Sequence, residues 1–233
     1  MRTRHSIFAL THHMWAILVA IVIFAFAATP AMAARCDALG NSVQVSVKTN
    51  AGKVVYRTAH GRADLDALQQ RHGDNRGAIA GHPLGLTLAQ FQIDMLTKVK
   101  ILSLGPNQHC AALAAVEVTL SFEDFQVYID RRYKRGSCEY RAILDHENQH
   151  VRLFRSSLDR YQWEVRGVVE DAARRIPPII VARPNNAPSL LQGKVKQMIQ
   201  PTINRMNRAA DAANAAIDTP GSYASVQRRC TNW

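Results

Sequence analysis

The chain has 233 residues, 47% of them hydrophobic and 20% charged, with 12 Gly and 9 Pro. These proportions exclude disorder, collagen-like repeats and coiled-coil composition, and the length suffices for one substantial core. Its 29 Lys and Arg against 18 Asp and Glu give a net charge of +11; the cations are scattered without aromatic interleaving, so a solvated basic surface suited to anionic envelope surroundings is expected rather than a specific nucleic-acid site.

Residues 1–33 read as an export signal. Arg2 and Arg4 precede an uninterrupted apolar run from Trp15 to Ala28, followed by Thr29-Pro30 and Ala31-Met32-Ala33. A basic start, a core of about 14 apolar residues and a small-x-small ending fit a cut after Ala33; the alternative is an uncleaved anchor, which usually takes about 20 apolar residues. The processed chain keeps 27 basic and 18 acidic side chains, a net of +9. It has no second long apolar run, so it is expected in the periplasm or outside the cell and not across a membrane. All four cysteines (Cys36, Cys110, Cys138 and Cys230) lie in it. An even count in an oxidising compartment implies two disulfides, with three possible connectivities.

Ser42 to Lys48 alternates with Val43, Val45 and Val47 on one face, and the Asn50-Ala51-Gly52 turn leads into Lys53 to Thr58, which predicts a β-hairpin. Ala63 to Arg71 predicts a short helix with Leu65 and Leu68 inward, and residues 73–90 a Gly-rich loop. Phe91 to Leu104 suits a strand or a helix, with alternation at Ile93, Met95, Val99 and Ile101. Ala111 to Phe122 and Phe125 to Tyr133 alternate on either side of Glu123-Asp124 and predict a second hairpin. Pairing Leu120 with Phe125 sets Cys110 opposite about residue 135, which favours Cys110–Cys138 and leaves Cys36–Cys230.

From Ser137, a plausible N-cap, the pattern turns helical. Ile143, Leu144, Leu153, Phe154, Leu158, Tyr161, Val165, Val168 and Ala172 recur, and no proline intervenes before Pro177-Pro178. A connector precedes a second long helix from about Ser189 to Ile217, with Leu190, Leu191, Val195, Met198, Ile199, Ile203, Met206 and Ala210 as its stripe. The fold class is therefore α+β: small antiparallel β-hairpins or a sheet, and a long C-terminal antiparallel helical hairpin. Residues 34–175 form the main domain, and residues 176–233 supply a connector, a helix and a disulfide-tethered tail packed on it.

The first long helix carries His146-Glu147-Asn148-Gln149-His150. Side chains at i and i+4 share a helix face, so both imidazoles reach one Zn²⁺, while Glu147 beside them is placed to take a proton from the attacking water. A catalytic zinc needs a third protein ligand. Leu153 and Ser156 stand where an astacin-like extension requires Gly and His. Antiparallel helices turning between Arg175 and Pro188 set His150 opposite about residue 213 and His146 opposite 217, which makes Asp218 the first candidate and Asp211 the second. Glu170 is the third, although an unbroken helix carries it about 30 Å past His150. Tyr223, from the turn after Asp218, is a candidate to polarise a substrate carbonyl. His60, His72, His82 and His109 lack ligand spacing and read as surface histidines.

The order of features resembles a family of bacterial exported proteins of unknown function, described as predicted secreted zinc-dependent proteases of the zincin type. The resemblance spans about residues 43–175. It runs from the Val55-Tyr56 strand through His60-Gly61 and the helix with Leu65 and Leu68 to a Cys-bearing hairpin, Cys138-Glu139-Tyr140 and the HExxH helix. It implies a zincin-like domain with His146 and His150 as metal ligands and Glu147 as catalytic base. Asp218-Thr219-Pro220-Gly221 weakly echoes the family's stretch after the second helix and lacks its His.

The expected function is that of an exported zinc metallopeptidase acting on envelope peptides or proteins, with an exposed strand edge near residues 116–120 holding the substrate by β-addition. The alternative is a non-enzymatic envelope protein that binds an anionic polymer or a protein partner through its positive surface. The sequence is silent on oligomeric state and cleavage specificity.

Overall fold

The computed structural model describes residues 36–72 and 82–233. The expected export signal and residues 73–81 of the expected loop lie outside the described residues. The chain forms β1 (Gln44–Asn50), β2 (Val54–Arg57), α1 (Arg62–His72), β3 (Gly85–Leu88), β4 (Phe91–Gly105), β5 (Gln108–Phe122) and β6 (Phe125–Ile129). The order continues with α2 (Cys138–Arg175), β7 (Ile179–Val181), α3 (Ala187–Ile217) and α4 (Pro220–Gln227). This is a mixed α+β fold, as expected, with two small sheets beside a pair of long helices.

Neither expected hairpin forms. β1 pairs in parallel with β5 and β2 in parallel with β6. Gln44 lies opposite Ala115 and Arg57 opposite Tyr128, so partners stay 71 residues apart from the start of β1 to the end of β2. The two segments that read as turns, Asn50-Ala51-Gly52 and Glu123-Asp124, are bends at which both chains pass side by side from the first sheet into the second. There the Lys53 amide donates to Asp124 Oδ1 at 2.9 Å and the Phe125 amide donates to the Lys53 carbonyl at 2.8 Å. Gly52 takes φ 65°, and a Cβ there would stand 2.6 Å from the Glu123 carbonyl oxygen, so only glycine permits the chains to approach this closely.

The hairpin that does form joins β4 to β5 in antiparallel register along most of their length, turning at Pro106-Asn107 with Asn107 at φ 56°. β5 is thus covered by β1 on one side and β4 on the other through residues 115–121, and β7 pairs beside its start. The expected free edge at 116–120 is absent. The second sheet has the order β2-β6-β3, and β3, a strand inside the expected loop, forms one of its edges.

Strand pairing also rewrites the disulfides. The bridges are Cys36–Cys110 and Cys138–Cys230, with Cα atoms 5.5 and 5.8 Å apart. The expected Cys110–Cys138 bond required β5 to fold back on β6. Because β6 instead continues onward into the second sheet, Cys110 and Phe122 stand at opposite ends of β5, about 40 Å apart, with Cys138 beyond Phe122. Two bridges fit an oxidising compartment. No helix among the described residues is long and apolar enough to cross a membrane.

α2 starts where expected: Ser137 Oγ accepts the Tyr140 amide at 3.1 Å. Its buried face runs through Ile143, His146, Glu147, His150, Val151, Phe154, Leu158, Val165, Val169 and Ala172, the spacing of one helix stripe. Leu191, Val195, Ile199 and Ile203 of α3 meet it, and Val116, Val118 and Leu120 of β5 complete a core shared by sheet and helices. Toward its N-terminus α2 leaves the first sheet and passes beneath β3 and β6. The HExxH residues lie on that stretch, where the helical hairpin meets the smaller sheet.

Candidate metal centre

His146 and His150 are one helical turn apart on the buried face of α2, 4% and 6% exposed. α3 runs antiparallel to α2 and ends at Ile217, and Asp218 caps it, its amide donating to the Ala215 carbonyl. Thr219 then caps α4 through reciprocal bonds with Ser222, with Pro220 in the first turn. Two helix ends thus fix the two residues between them, Asp218 and Thr219. Asp218 Oδ1 lies 3.2 Å from His146 Nε2 and 3.0 Å from His150 Nε2, and the three ligand atoms fall within 4.8 Å of one another. Two metal–ligand bonds of about 2.0–2.1 Å at a tetrahedral angle separate their donor atoms by roughly 3.3 Å. The grouping is therefore of the right size to hold a metal ion.

Hydrogen bonding determines which lone pairs face inward. Asn214, fully buried on α3, donates its amide to the Ala210 carbonyl at 2.7 Å, so its Oδ1 is left to face His150 Nδ1 at 2.8 Å. An acceptor in that place puts the hydrogen on Nδ1 and leaves the Nε2 lone pair pointing at the Asp218 carboxylate. Two acceptors 3.0 Å apart require a proton or a cation between them. Burial pulls the His150 pKa down, but the Asp218 hydrogen bond and the Glu147 charge outweigh it and raise the net value. Burial likewise pushes Asp218 up, and the bonds from His146 and His150 override it and hold the carboxyl at about 2.

Glu147 is 2% exposed and does not join the ligand group. Thr87 of β3 donates its hydroxyl to Glu147 Oε2 at 2.8 Å. β3 crosses the helix so closely here that a Cβ on Gly85 would lie 2.7 Å from Glu147 Oε1. Burial raises the Glu147 pKa against the lowering influence of both histidines and Thr87, the direction that suits a proton acceptor. The Tyr223 ring, on α4, stands 5.3 Å from that of His146. Burial and the nearby Glu147 and Asp218 charges keep its hydroxyl protonated, hence available as a donor.

These groups open onto a cleft of about 1390 Å³ whose walls include β3, Glu147, His150, Asp218 and Tyr223. Of the residues singled out from sequence, His146, Glu147, His150, Asp218 and Tyr223 come together. Asp211 lies seven residues earlier on α3, about 10 Å along its axis, and Glu170 about 30 Å along the unbroken α2. Sequence reasoning missed Thr87, Gly85 and Asn214. A signal for Asn214 existed: it continues the apolar stripe four residues after Ala210, at the level expected to face His150.

Asn214→Ala is expected to weaken metal affinity about 10- to 100-fold while leaving the fold intact, the usual cost of losing the partner that orients a ligand histidine. Competition against a chromogenic chelator measures it, and unchanged affinity would remove Asn214 from the site. Comparison of the chain with protein-family models, curated proteins and solved structures finds no match.

Proposed function

We propose that the protein is an exported zinc-dependent metallopeptidase of the zincin type, acting on peptide or protein substrates in the periplasm or outside the cell. The observation that carries this reading is the convergence of both HExxH imidazoles on one Asp218 oxygen, with the His150 tautomer set by Asn214. Two nitrogens and a carboxylate oxygen with a position open to a cleft suit a catalytic zinc site. When bound, zinc supplies Lewis acidity and brings the pKa of a water to about 7.

The chain's own groups do the remainder. Glu147 accepts the water's proton and returns it to the leaving amine. Thr87 holds that carboxylate at its working angle, and the Tyr223 hydroxyl donates to the oxygen of the scissile carbonyl as charge builds on it. The edge strand β3, rather than β5, lies beside Glu147 and suits an extended substrate by strand addition. Asp66, Glu123 and Asp124 also line the cleft, and among its described lining residues there is no Lys or Arg, although the chain as a whole is strongly basic. Substrates with basic side chains fit that charge.

The deciding experiment is the metal content of the processed protein. About one zinc per chain is expected, lost in His150→Ala and in Asp218→Ala, followed by chelator-sensitive hydrolysis that favours basic over acidic peptides. Absence of zinc after reconstitution would end the peptidase reading. Hydrolysis indifferent to peptide charge would end only the substrate assignment.

A further inference from the structure

The loop between β6 and α2 carries Arg131, Arg132, Lys134 and Arg135 around Tyr133, and the segment after α4 carries Arg228 and Arg229. All six cations are exposed. The Cys138–Cys230 bridge ties the two segments together, and the Tyr133 and Trp233 rings meet edge-on with centroids 5.6 Å apart. Two of the cations are committed: Arg132 bonds the buried Asp130 at 2.9 Å and lies over the Tyr133 ring, and Arg229 bonds Asp145 at 2.6 Å. Arg131, Lys134, Arg135 and Arg228 have no carboxylate partner among the described residues.

Trp233, on the segment after α4, is 40% exposed while its indole N–H is already used internally, donating to the Cys230 carbonyl at 3.0 Å and the Gln227 carbonyl at 2.5 Å. An indole with its one donor satisfied, carried on a cross-linked base whose two segments bear free cations, is suited to the headgroup layer of a bilayer, where aromatic rings settle and basic residues meet anionic lipid. A soluble polyanion would match the cations but leave the aromatic pair without a role. The bridge also prearranges both segments, so little ordering remains to be done on contact.

We propose that this basic-aromatic face, formed by the β6–α2 loop and the disulfide-linked segment after α4, docks the protein on membranes with anionic headgroups. The face begins about eight residues before His146 on α2, roughly 12 Å along the helix axis. Docking there keeps the neighbouring cleft close to the membrane surface. The inference does not depend on hydrolysis and stands or falls on binding alone.

The test uses the processed protein, residues 34–233, which contains every described strand and helix, with both disulfides formed. Co-sedimentation is measured with vesicles of phosphatidylcholine mixed with phosphatidylglycerol, and with phosphatidylcholine alone. Binding is expected only to the mixed vesicles and is expected to fade with salt. Each free cation contributes about fivefold to partitioning, so the triple variant Arg131→Gln, Lys134→Gln, Arg135→Gln should bind about 100-fold more weakly. Trp233→Ala should weaken binding further without altering its salt dependence. These surface changes leave the buried core untouched, and an unshifted thermal transition checks that. Failure to bind mixed vesicles, equal binding to both kinds, or a triple variant that binds like the parent would overturn the proposal. Retention on a soluble polyanion without vesicle binding would overturn it in favour of a polymer partner.

Discussion

Glu147→Gln is expected to leave one zinc bound per chain and to cut hydrolysis by about 10²- to 10⁴-fold, the range for removing a general base. Glutamine keeps the size of the side chain and still offers an oxygen to the Thr87 hydroxyl, which bonds Glu147 Oε2 at 2.8 Å. The packing against Gly85 is therefore preserved, and what disappears is the ability to take up a proton. Metal analysis and turnover, measured on one preparation, separate the two outcomes. Undiminished turnover would remove Glu147 from the chemistry, and loss of zinc would mean that the carboxylate supports the ligand geometry instead. Because burial raises the Glu147 pKa, the proposed hydrolysis should fall as pH drops and the carboxyl takes up its proton.

The second large effect concerns Cys138–Cys230. This bridge closes a span of 92 residues that holds both HExxH histidines, Asn214, Asp218 and Tyr223. A loop of that length stabilises the fold by about 4–5 kcal/mol in the chain-entropy account. Replacing both cysteines by serine should lower Tm by about 10 °C or more. It should also weaken zinc affinity, because α4 and the Asp218 cap lose their covalent hold on the start of α2. The Cys36–Cys110 pair is the control: it ties the beginning of β5, away from α4, so its removal should lower Tm while folded protein keeps its zinc affinity. Equal effects of the two pairs on zinc would show that the first bridge has no special tie to the site.

The helices were legible in the sequence and most of the strand partnerships were not. A stripe repeating every three or four residues identifies a helix and also the face it buries, so α2, α3 and their antiparallel meeting could be reasoned out. That register set Asp218 level with His146 to within one residue. Alternation with a period of two identifies a strand but says nothing of its neighbour. Glu123-Asp124 between two alternating runs has the form of a tight turn, yet its carboxylate accepts the Lys53 amide and the chain continues straight on into another sheet. The incorrect disulfide pairing followed from that single misassignment. β3 escaped notice because four residues beginning with glycine carry too little pattern, and with it went Thr87 and Gly85. α4 is eight residues long and begins Thr-Pro-Gly, which reads as a turn although it is also a capped helix start.

The constant separation of 71 residues between the paired strands also bears on how the molecule assembles. β4 and β5 join across two residues and close at little entropic cost, so they are the natural nucleus. β1 and β2, although made first, have no partner until β5 and β6 exist, and until then they remain unpaired and open to wrong association. The candidate metal ligands come together later still, because Asp218 follows His150 by 68 residues and is positioned only when α3 has docked. A half-finished chain therefore holds two histidines and no centre, and whatever chemistry the centre performs is withheld until folding is nearly complete.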